Sequence, residues 1–312
     1  MSAPVTDAVL SPEPVHAATV TWYQHAARDL PWRRADCSAW GVLVSEVMLQ
    51  QTPVARVLPR WQEWMRRWPT PEDAAAAPAA EILTVWDRLG YPRRALRLQQ
   101  AAQSIVDHHS GTVPSSLDKL RALPGIGEYT AAAVACFAFG SPEVVVDTNI
   151  RRVHARVFSG QALPGKTYTA QQRKLAYDVF PDPRHDDGEF ACAWNIAVME
   201  LGALVCTARS PKCGECPLAQ LCGWRLAGSP PPTEEQRTRG QTWEGTDRQV
   251  RGALMAALRS SGQLDRQALV DELPLPNADL DQRHRCLESL LSDGLAEQHR
   301  GVVALPGTLP TG

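Results

Sequence analysis

Residues 199–222 read MELGALVCTARSPKCGECPLAQLC, and four cysteines close within the last seventeen positions as Cys206-x6-Cys213-x2-Cys216-x5-Cys222. Zinc sites usually present two close cysteine pairs separated by a longer loop. Here there is one C-x-x-C and the whole set is local. Four thiolates so crowded suit a single compact cubane, one [4Fe-4S] cluster, with a zinc ion or plain packing as the alternatives. Between the first two cysteines, TARSPK places Arg209 and Lys212 on a loop tied down at both ends. A basic side chain held that way meets a phosphate without the usual ordering entropy.

The other four of the eight cysteines, Cys37, Cys136, Cys192 and Cys286, are scattered. Clustered cysteines in a chain whose start, MSAPVTDAVLSPEPVHAA, lacks the basic opening and apolar core of a signal peptide point to a cytoplasmic metal site rather than disulfides. No apolar run approaches the ~20 residues that span a bilayer. The net charge is −2, so bulk electrostatics do not announce a nucleic-acid partner. Such a partner would have to meet a local patch. RWQEWMRRW (60–68), YPRRALR (91–97) and IRRVHAR (150–156) are the candidates, each equally readable as a solvated helix face.

Outward from the cysteines, residues 15–222 read as almost entirely helical. Apolar residues recur at helical spacing in segments such as AWGVLVSEVMLQQ and RALRLQQAAQSIVDHH, separated by Pro- or Gly-bearing breaks. The run EVVVDTN is too brief to argue for a sheet. Residues 1–14 read as a loose tail and 227–246 as a Pro-, Gly- and charge-rich linker. Residues 247–307 follow as three helices and a short hairpin turning on glycine at 299–302, the pattern of a winged-helix-like module, with a plain helical cap as the alternative. The fold class is all-α.

LPGIGEYTAAAVACF (123–137) carries a Pro-Gly-x-Gly turn into a small-residue helix over 129–139. Alone it is helix punctuation; beside the cysteine cluster it reads as a phosphate anchor. Gly125 and Gly127 let the backbone approach the anion, and the exposed N–H groups of the helix start point at it. Glu46 sits on a mostly apolar helix, where burial would raise its pKa and suit it to a general acid, and its ordinary reading is an exposed helical glutamate. Asp147 ends a short apolar run and is equally a helix N-cap. The histidines show no ligand spacing and read as core or surface residues.

The cysteine spacing, together with LPGIG and VVVDTNIRRV, resembles the helix-hairpin-helix DNA glycosylases that carry an iron–sulfur cluster, over about residues 20–225. LPWRR (30–34), SEVMLQQT (45–52), LGYPRRA (89–95), GIGEYTA (125–131) and residues 199–218 resemble the adenine (MutY) branch rather than the pyrimidine, endonuclease III branch. The resemblance implies a helical domain over about 31–135 and a cluster domain from about 15–30 and 136–226. It also implies double-stranded DNA with adenine opposite 8-oxoguanine or guanine as the partner, and a monomer. Flipping the adenine out of the stack precedes the chemistry. Glu46 is then the acid at adenine N7, Asp147 stabilises or transiently bonds the sugar C1′, and Asn149 orients that region. Glu200 and Arg33 meet adenine's edge, with Trp32 packed nearby. Gln51, Thr52, Leu89 and Tyr91 wedge into the duplex and contact the opposite base.

Tyr129 stands where the lyase-capable branch has a lysine. A phenol forms no imine, so base release without strand scission is implied, with the hydroxyl on Asp147 or the reacting sugar. Two departures stand out. Thr148 replaces a glycine common in the adenine branch, and residues 247–307 are too short for the Nudix-like β-domain many members carry. The alternatives are a bifunctional pyrimidine glycosylase/lyase, a mismatch thymine glycosylase of the same fold, and a non-catalytic iron–sulfur DNA-binding regulator.

Overall fold

The structure, a computed structural model, describes residues 11–237, 243–275 and 277–310. In chain order the helices are α1 (Pro12–Ala26), α2 (Ala39–Leu49), α3 (Val54–Arg67), α4 (Pro71–Ala76), α5 (Ala79–Trp86), α6 (Arg93–His109), α7 (Leu117–Ala122) and α8 (Glu128–Phe139). They continue with α9 (Thr148–Val157), α10 (Ala170–Asp178), α11 (Glu189–Leu204) and α12 (Gly223–Leu226). After the linker come α13 (Asp247–Ser261), β1 (Gln263–Asp265), α14 (Arg266–Asp271), α15 (Leu280–Ser292), β2 (Glu297–His299) and β3 (Val302–Ala304). Short 3₁₀ turns lie at Pro31–Arg33, Asp87–Leu89 and His185–Gly188.

Local chemistry sets many of these boundaries. Ser38 caps α2 by accepting from Gly41 N at 3.1 Å. Thr70 and Asp73 form a capping box at α4. Asp147, Thr169, Thr246, Asp265 and Asp279 cap α9, α10, α13, α14 and α15 through their side chains. The tail expected over 1–14 is corrected within the described residues: α1 already starts at Pro12, where proline suits the first turn because it lacks only an N–H that would be unpaired anyway. EVVVDTN forms no strand; it runs extended into the Asp147 cap.

The chain divides into two compact units, one of described residues up to Arg34 with 131–237, the other of 35–130 with 243–310. In the first unit α11 packs against both α1 and α9. Trp194 is buried at its centre, with His16 edge-on at 4.5 Å and His154 stacked at 6.3 Å. In the second unit α2 is buried along nearly its whole length, so Ser45 and Glu46 are polar residues inside an apolar helix. A tryptophan group closes over it. Trp64 meets Trp68 and Trp86 edge-on at 4.8 and 6.2 Å, and Trp40 and Trp61 donate their indole N–H groups to Trp68 O and Gly41 O.

Residues 243–310 have the winged-helix order, helix, strand, two helices, hairpin, with an antiparallel sheet arranged β1-β3-β2. The expected hairpin is present, turning through Arg300 and Gly301 at φ 47° and 83°. The strand β1 was not foreseen, because three residues carry no usable periodicity. This module belongs to the same unit as 35–130, and ion pairs Arg93–Asp293 (2.5 Å) and Arg259–Asp87 (3.8 Å) join it to that helical domain.

Candidate active site and metal centre

In the first unit α11 ends at Leu204, and Cys206 follows. The loop then folds back, with Lys212 N donating to Val205 O at 2.9 Å, before Cys222 caps α12. Cys206, Cys213, Cys216 and Cys222 line one cavity with apolar neighbours including Leu201 and Leu218. Burial first, and then the other three cysteines, push the Cys216 thiol up to about 11. Among the described residues no three His, Cys, Asp or Glu donors gather tightly enough for a single metal ion. Four sulfurs spread round an apolar cavity suit a cluster better than one zinc ion. Arg156 braces the rim. Its Nη1 donates to Cys206 Sγ at 3.2 Å and Thr207 O at 2.8 Å, and its guanidinium lies 4.9 Å from the Trp224 ring centroid.

Asp147 accepts from Ile150 N and from Asn149 Nδ2, both at 2.7 Å. Burial nevertheless pushes its carboxyl above the ordinary aspartate value, against those hydrogen bonds and the nearby Arg152. Arg152 is the link to the metal centre. Its Nη2 donates to Asn149 Oδ1 at 2.8 Å and Gly202 O at 2.6 Å, while Nε donates to Cys206 O at 2.7 Å. The helices meet so closely here that a Cβ on Gly202 would lie 2.7 Å from Asn149 Cβ and 2.9 Å from its carbonyl oxygen.

Glu200 is fully buried. Arg28 donates to it through N, Nε and Nη2 at 3.2, 2.7 and 2.6 Å, and Arg33 Nη2 adds a contact at 2.9 Å. Burial opposes its ionisation, but the two arginines outweigh burial and hold the carboxyl down to about 2. Each carboxylate oxygen thus receives two donors, from Arg28 and Arg33. Among the described residues Arg33 Nη1, by contrast, is buried without a hydrogen-bond partner, its guanidinium lying 5.9 Å from the Tyr23 ring centroid. Trp32 is buried beside it on the Pro31–Arg33 turn.

In the second unit Glu46 is 5% exposed, and Tyr129 Oη donates to its Oε2 at 3.0 Å. Glu46 is thus one partner of the phenol. Tyr129 lies in the first turn of α8, which starts one residue earlier than expected. Ahead of it Gly125 has φ 77°, and a Cβ there would fall 2.9 Å from Arg97 Cβ, whereas Gly127 faces open space. Gln50 Nε2 reaches Thr130 Oγ1 at 3.2 Å, tying the end of α2 to the same helix.

The four expected wedge residues separate into two pairs. Gln51 and Tyr91 are exposed at positive φ, 56° and 48°. Thr52 and Leu89 are buried beneath them, and Thr52 Oγ1 donates to Leu89 O at 3.0 Å, which supports the tips. Arg94 ties the two turns together, donating to Val47 O and Gln50 O at 2.8 and 2.6 Å and to Gly90 O at 3.2 Å. Burial, reinforced by Arg248, lowers its pKa to about 10. The sequence singled out neither Arg94, Arg152, Arg156 nor Arg28 for these tasks. Arg94, Arg152 and Arg156 lie in the proposed basic patches, and IRRVHAR is corrected outright. Arg152 and Arg156 are buried, and Arg151 donates to Gly165 O, Thr167 O and Gln172 Oε1. In RWQEWMRRW, Arg66 and Arg67 pair with Glu63. Arg209 and Lys212 remain exposed on the cluster loop.

Residues 44–177 match the family of HhH-GPD superfamily base excision DNA repair proteins, and residues 206–222 match the iron–sulfur binding domain of endonuclease III. The chain is 50% identical over 294 residues to an adenine DNA glycosylase of Mycolicibacterium smegmatis, covering 94% of this chain and 96% of that one. It is 48% identical over 297 residues to one of Mycobacterium tuberculosis, covering 92% of each. A solved non-covalent endonuclease III–DNA complex superposes with a TM-score of 0.58 at 26% identity, over 69% of this chain and 96% of that one. The chain belongs to the adenine DNA glycosylases of base excision repair. It is a DNA N-glycosylase that binds DNA and carries one [4Fe-4S] cluster, and the stretch 206–222 that matches the cluster-binding domain begins at Cys206 and ends at Cys222. Among the described residues no helix is long and apolar enough to cross a membrane.

Two outcomes follow from this geometry. Gly202→Ala drives a methyl into Asn149 and its carbonyl, a backbone clash that is expected to cost about 1–3 kcal/mol. Thermal melting of the holoenzyme checks this, and a melting point unchanged within a degree contradicts it. Asp147 holds its proton more tightly folded than unfolded, where it titrates near 3.8. The folded state is therefore penalised above that pH, increasingly as pH rises to the raised pKa and constantly beyond it, by about 1.4 kcal/mol per pK unit. Asp147→Asn retains an N-cap acceptor and removes the charge. Urea melts should show the variant gaining on wild type between pH 4 and pH 8, and a gap that narrows over that range contradicts the assignment.

Proposed function

We propose that this enzyme hydrolyses the N-glycosidic bond of adenine opposite 8-oxoguanine or guanine and leaves an abasic site without cutting the strand. The observation that carries the second half is Tyr129: its phenol donates to Glu46 at 3.0 Å in the first turn of α8 and offers no amine for an imine to the sugar.

Glu46 is the acid that protonates adenine at N7, its carboxyl oriented by the Tyr129 hydroxyl. Protonation turns a poor leaving group into a neutral one, and the C1′–N9 bond breaks with its electron pair going to the base. Asp147 faces the positive charge that develops on the sugar, as the second carboxylate does in glycosidases. It does so by ion pairing or by a transient bond to C1′, until a water adds there, releasing Asp147 as a carboxylate where a bond had formed and giving its proton to the Glu46 carboxylate left by protonation of the base. Asn149 Nδ2, locked by Arg152, keeps the Asp147 carboxyl in one orientation. Arg33, anchored through Nη2 on Glu200, is left with a buried Nη1 donor that suits a ring nitrogen of adenine. Gln51 and Tyr91 are the exposed pair that enter the duplex, and Gly125 and Gly127 with the start of α8 hold a backbone phosphate. Arg209 and Lys212, on the cluster loop, contact the DNA separately. The enzyme acts as a monomer in the cytoplasm. The cluster, when bound, fixes the loop it is tied to, and the steps above use this chain's own side chains.

Holoenzyme incubated with duplexes carrying A:8-oxoguanine, A:G, T:G and thymine glycol tests the reading. Strand breaks are expected only after alkali and only with the first two. Breaks without alkali would establish the lyase, and release from T:G alone would make it a thymine glycosylase. Tyr129→Phe removes one hydrogen bond worth about 1.4 kcal/mol, so single-turnover adenine release should slow about tenfold, still without breaks before alkali. Glu46→Gln or Asp147→Asn should slow it by at least about 100-fold.

A further inference from the structure

The turn at 87–93 in the second unit holds Asp87, Gly90 and Tyr91 at φ 45°, 80° and 48°. Three contacts from the winged-helix module land on it. Arg259 Nε lies 3.8 Å from Asp87 Oδ1, Asp293 pairs with Arg93 at 2.5 Å, and the Arg248 guanidinium lies 4.3 Å from the Tyr91 ring centroid. A cleft of about 920 Å³ opens between module and turn, within the ~300–1,000 Å³ of ordinary ligand clefts.

Six arginines line the cleft: Arg56, Arg88, Arg93, Arg248, Arg251 and Arg259. Against them stand two carboxylates, Asp87 and Asp293, giving a local balance of 6 − 2 = +4 in a chain whose net charge is −2. Both carboxylates are already engaged, Asp293 by Arg93 and Arg251 (2.5 and 2.6 Å) and Asp87 by Arg60 and Arg259 (3.7 and 3.8 Å). Among the described residues the contacts of Arg248 are with ring faces, Tyr91 at 4.3 Å and Trp243 at 5.9 Å. Those two rings, 44% and 56% exposed, are the aromatic side chains of the lining.

Guanidinium groups in excess over carboxylates, beside two solvent-facing rings, complement a nucleotide: phosphate for the arginines, a base face for the rings. An acidic peptide would use the arginines and leave the rings idle. We propose that this cleft is a second DNA-strand subsite, in which Arg248 leaves the Tyr91 ring for a phosphate while a base of the same strand stacks on Tyr91 or Trp243. The winged-helix module thus contributes to the enzyme's grip on DNA directly at the wedge turn. This rests on the DNA glycosylase assignment, and not on which base is released.

The test uses the full-length holoenzyme and a duplex whose adenosine carries a 2′-fluorine, which resists hydrolysis. Anisotropy titrations at several salt concentrations give the slope of log Kd against log salt. Arg248→Gln is expected to reduce that slope by about 0.9, the loss of one phosphate contact. Because the substitution also removes a ring contact inside the module, wild-type protein supplies a second reading. 5-Iododeoxyuridine placed near the mispair in either strand should photo-crosslink to Trp243, mapped by mass spectrometry. An unchanged slope, or crosslinks confined to residues outside 243–259, overturns the proposal. So does a polyglutamate peptide that displaces the duplex more effectively than unlabelled duplex of equal charge. Wild-type protein that releases adenine from no duplex strikes the proposed function instead, and leaves these binding readings intact.

Discussion

The guanidinium of Arg152 is the point on which the first unit turns. From one buried side chain it donates to Asn149, to the carbonyl of Gly202 and to the carbonyl of Cys206. It therefore joins the helix that carries Asp147 to the helix that ends at the first cluster cysteine. A buried arginine is tolerable only when its donors are met, since an unpaired one costs several kcal/mol. The arrangement is consequently all-or-none: the α9–α11 contact, Gly202 at the crossing and the position of Cys206 have to be correct together. Arg156, one turn further along α9, repeats the device on Cys206 Sγ and Thr207 O. A cluster that pins the 206–222 loop would thereby also fix the Cys206 carbonyl on which Arg152, and through it Asn149, depends.

Internal arginines recur, and they mark the limit of what the sequence discloses. The cysteine spacing was legible because it is set by the size of a cluster and lies within seventeen residues. The burial of Glu46 and Asp147 was legible because a carboxylate inside VLVSEVML or after VVV contradicts its surroundings. Arg94, Arg152 and Arg156 were not, since a guanidinium satisfied by carbonyls 47 or 54 residues away in sequence looks the same on paper as one facing water. Charge runs read as candidate DNA patches were in two cases the struts of the fold. The split of the wedge residues has the same origin: Thr52 and Leu89 share motifs with Gln51 and Tyr91, and only the turn geometry decides which of them reach solvent. β1, three residues long, falls below the length at which alternation can be recognised.

The two best-defined carboxylates of the first unit are set in opposite electrostatic senses. Glu200 is buried yet held ionised by Arg28 and Arg33, while Asp147 accepts two hydrogen bonds and still has its carboxyl raised by burial. The first is a fixed anion whose charge is already compensated, suited to holding Arg33 in place. The second is an anion that its surroundings compensate only in part, and it gains from any positive charge brought near it. Under the proposed reaction, a sugar passing through an oxocarbenium-like state would supply such a charge, and part of what burial costs the folded enzyme would return as stabilisation of the transition state.

Tyr129 follows the same logic from the other side. An ammonium at that position would pair with Glu46 and hold it as a carboxylate, the wrong form for donating a proton to adenine. A phenol donates one hydrogen bond to Oε2 and brings no charge. Under the proposed reaction, the residue that offers no amine for an imine also leaves Glu46 without a neighbouring positive charge. Base release by protonation and strand scission by imine formation place conflicting demands on the first turn of α8, and in that reading a tyrosine there serves the former.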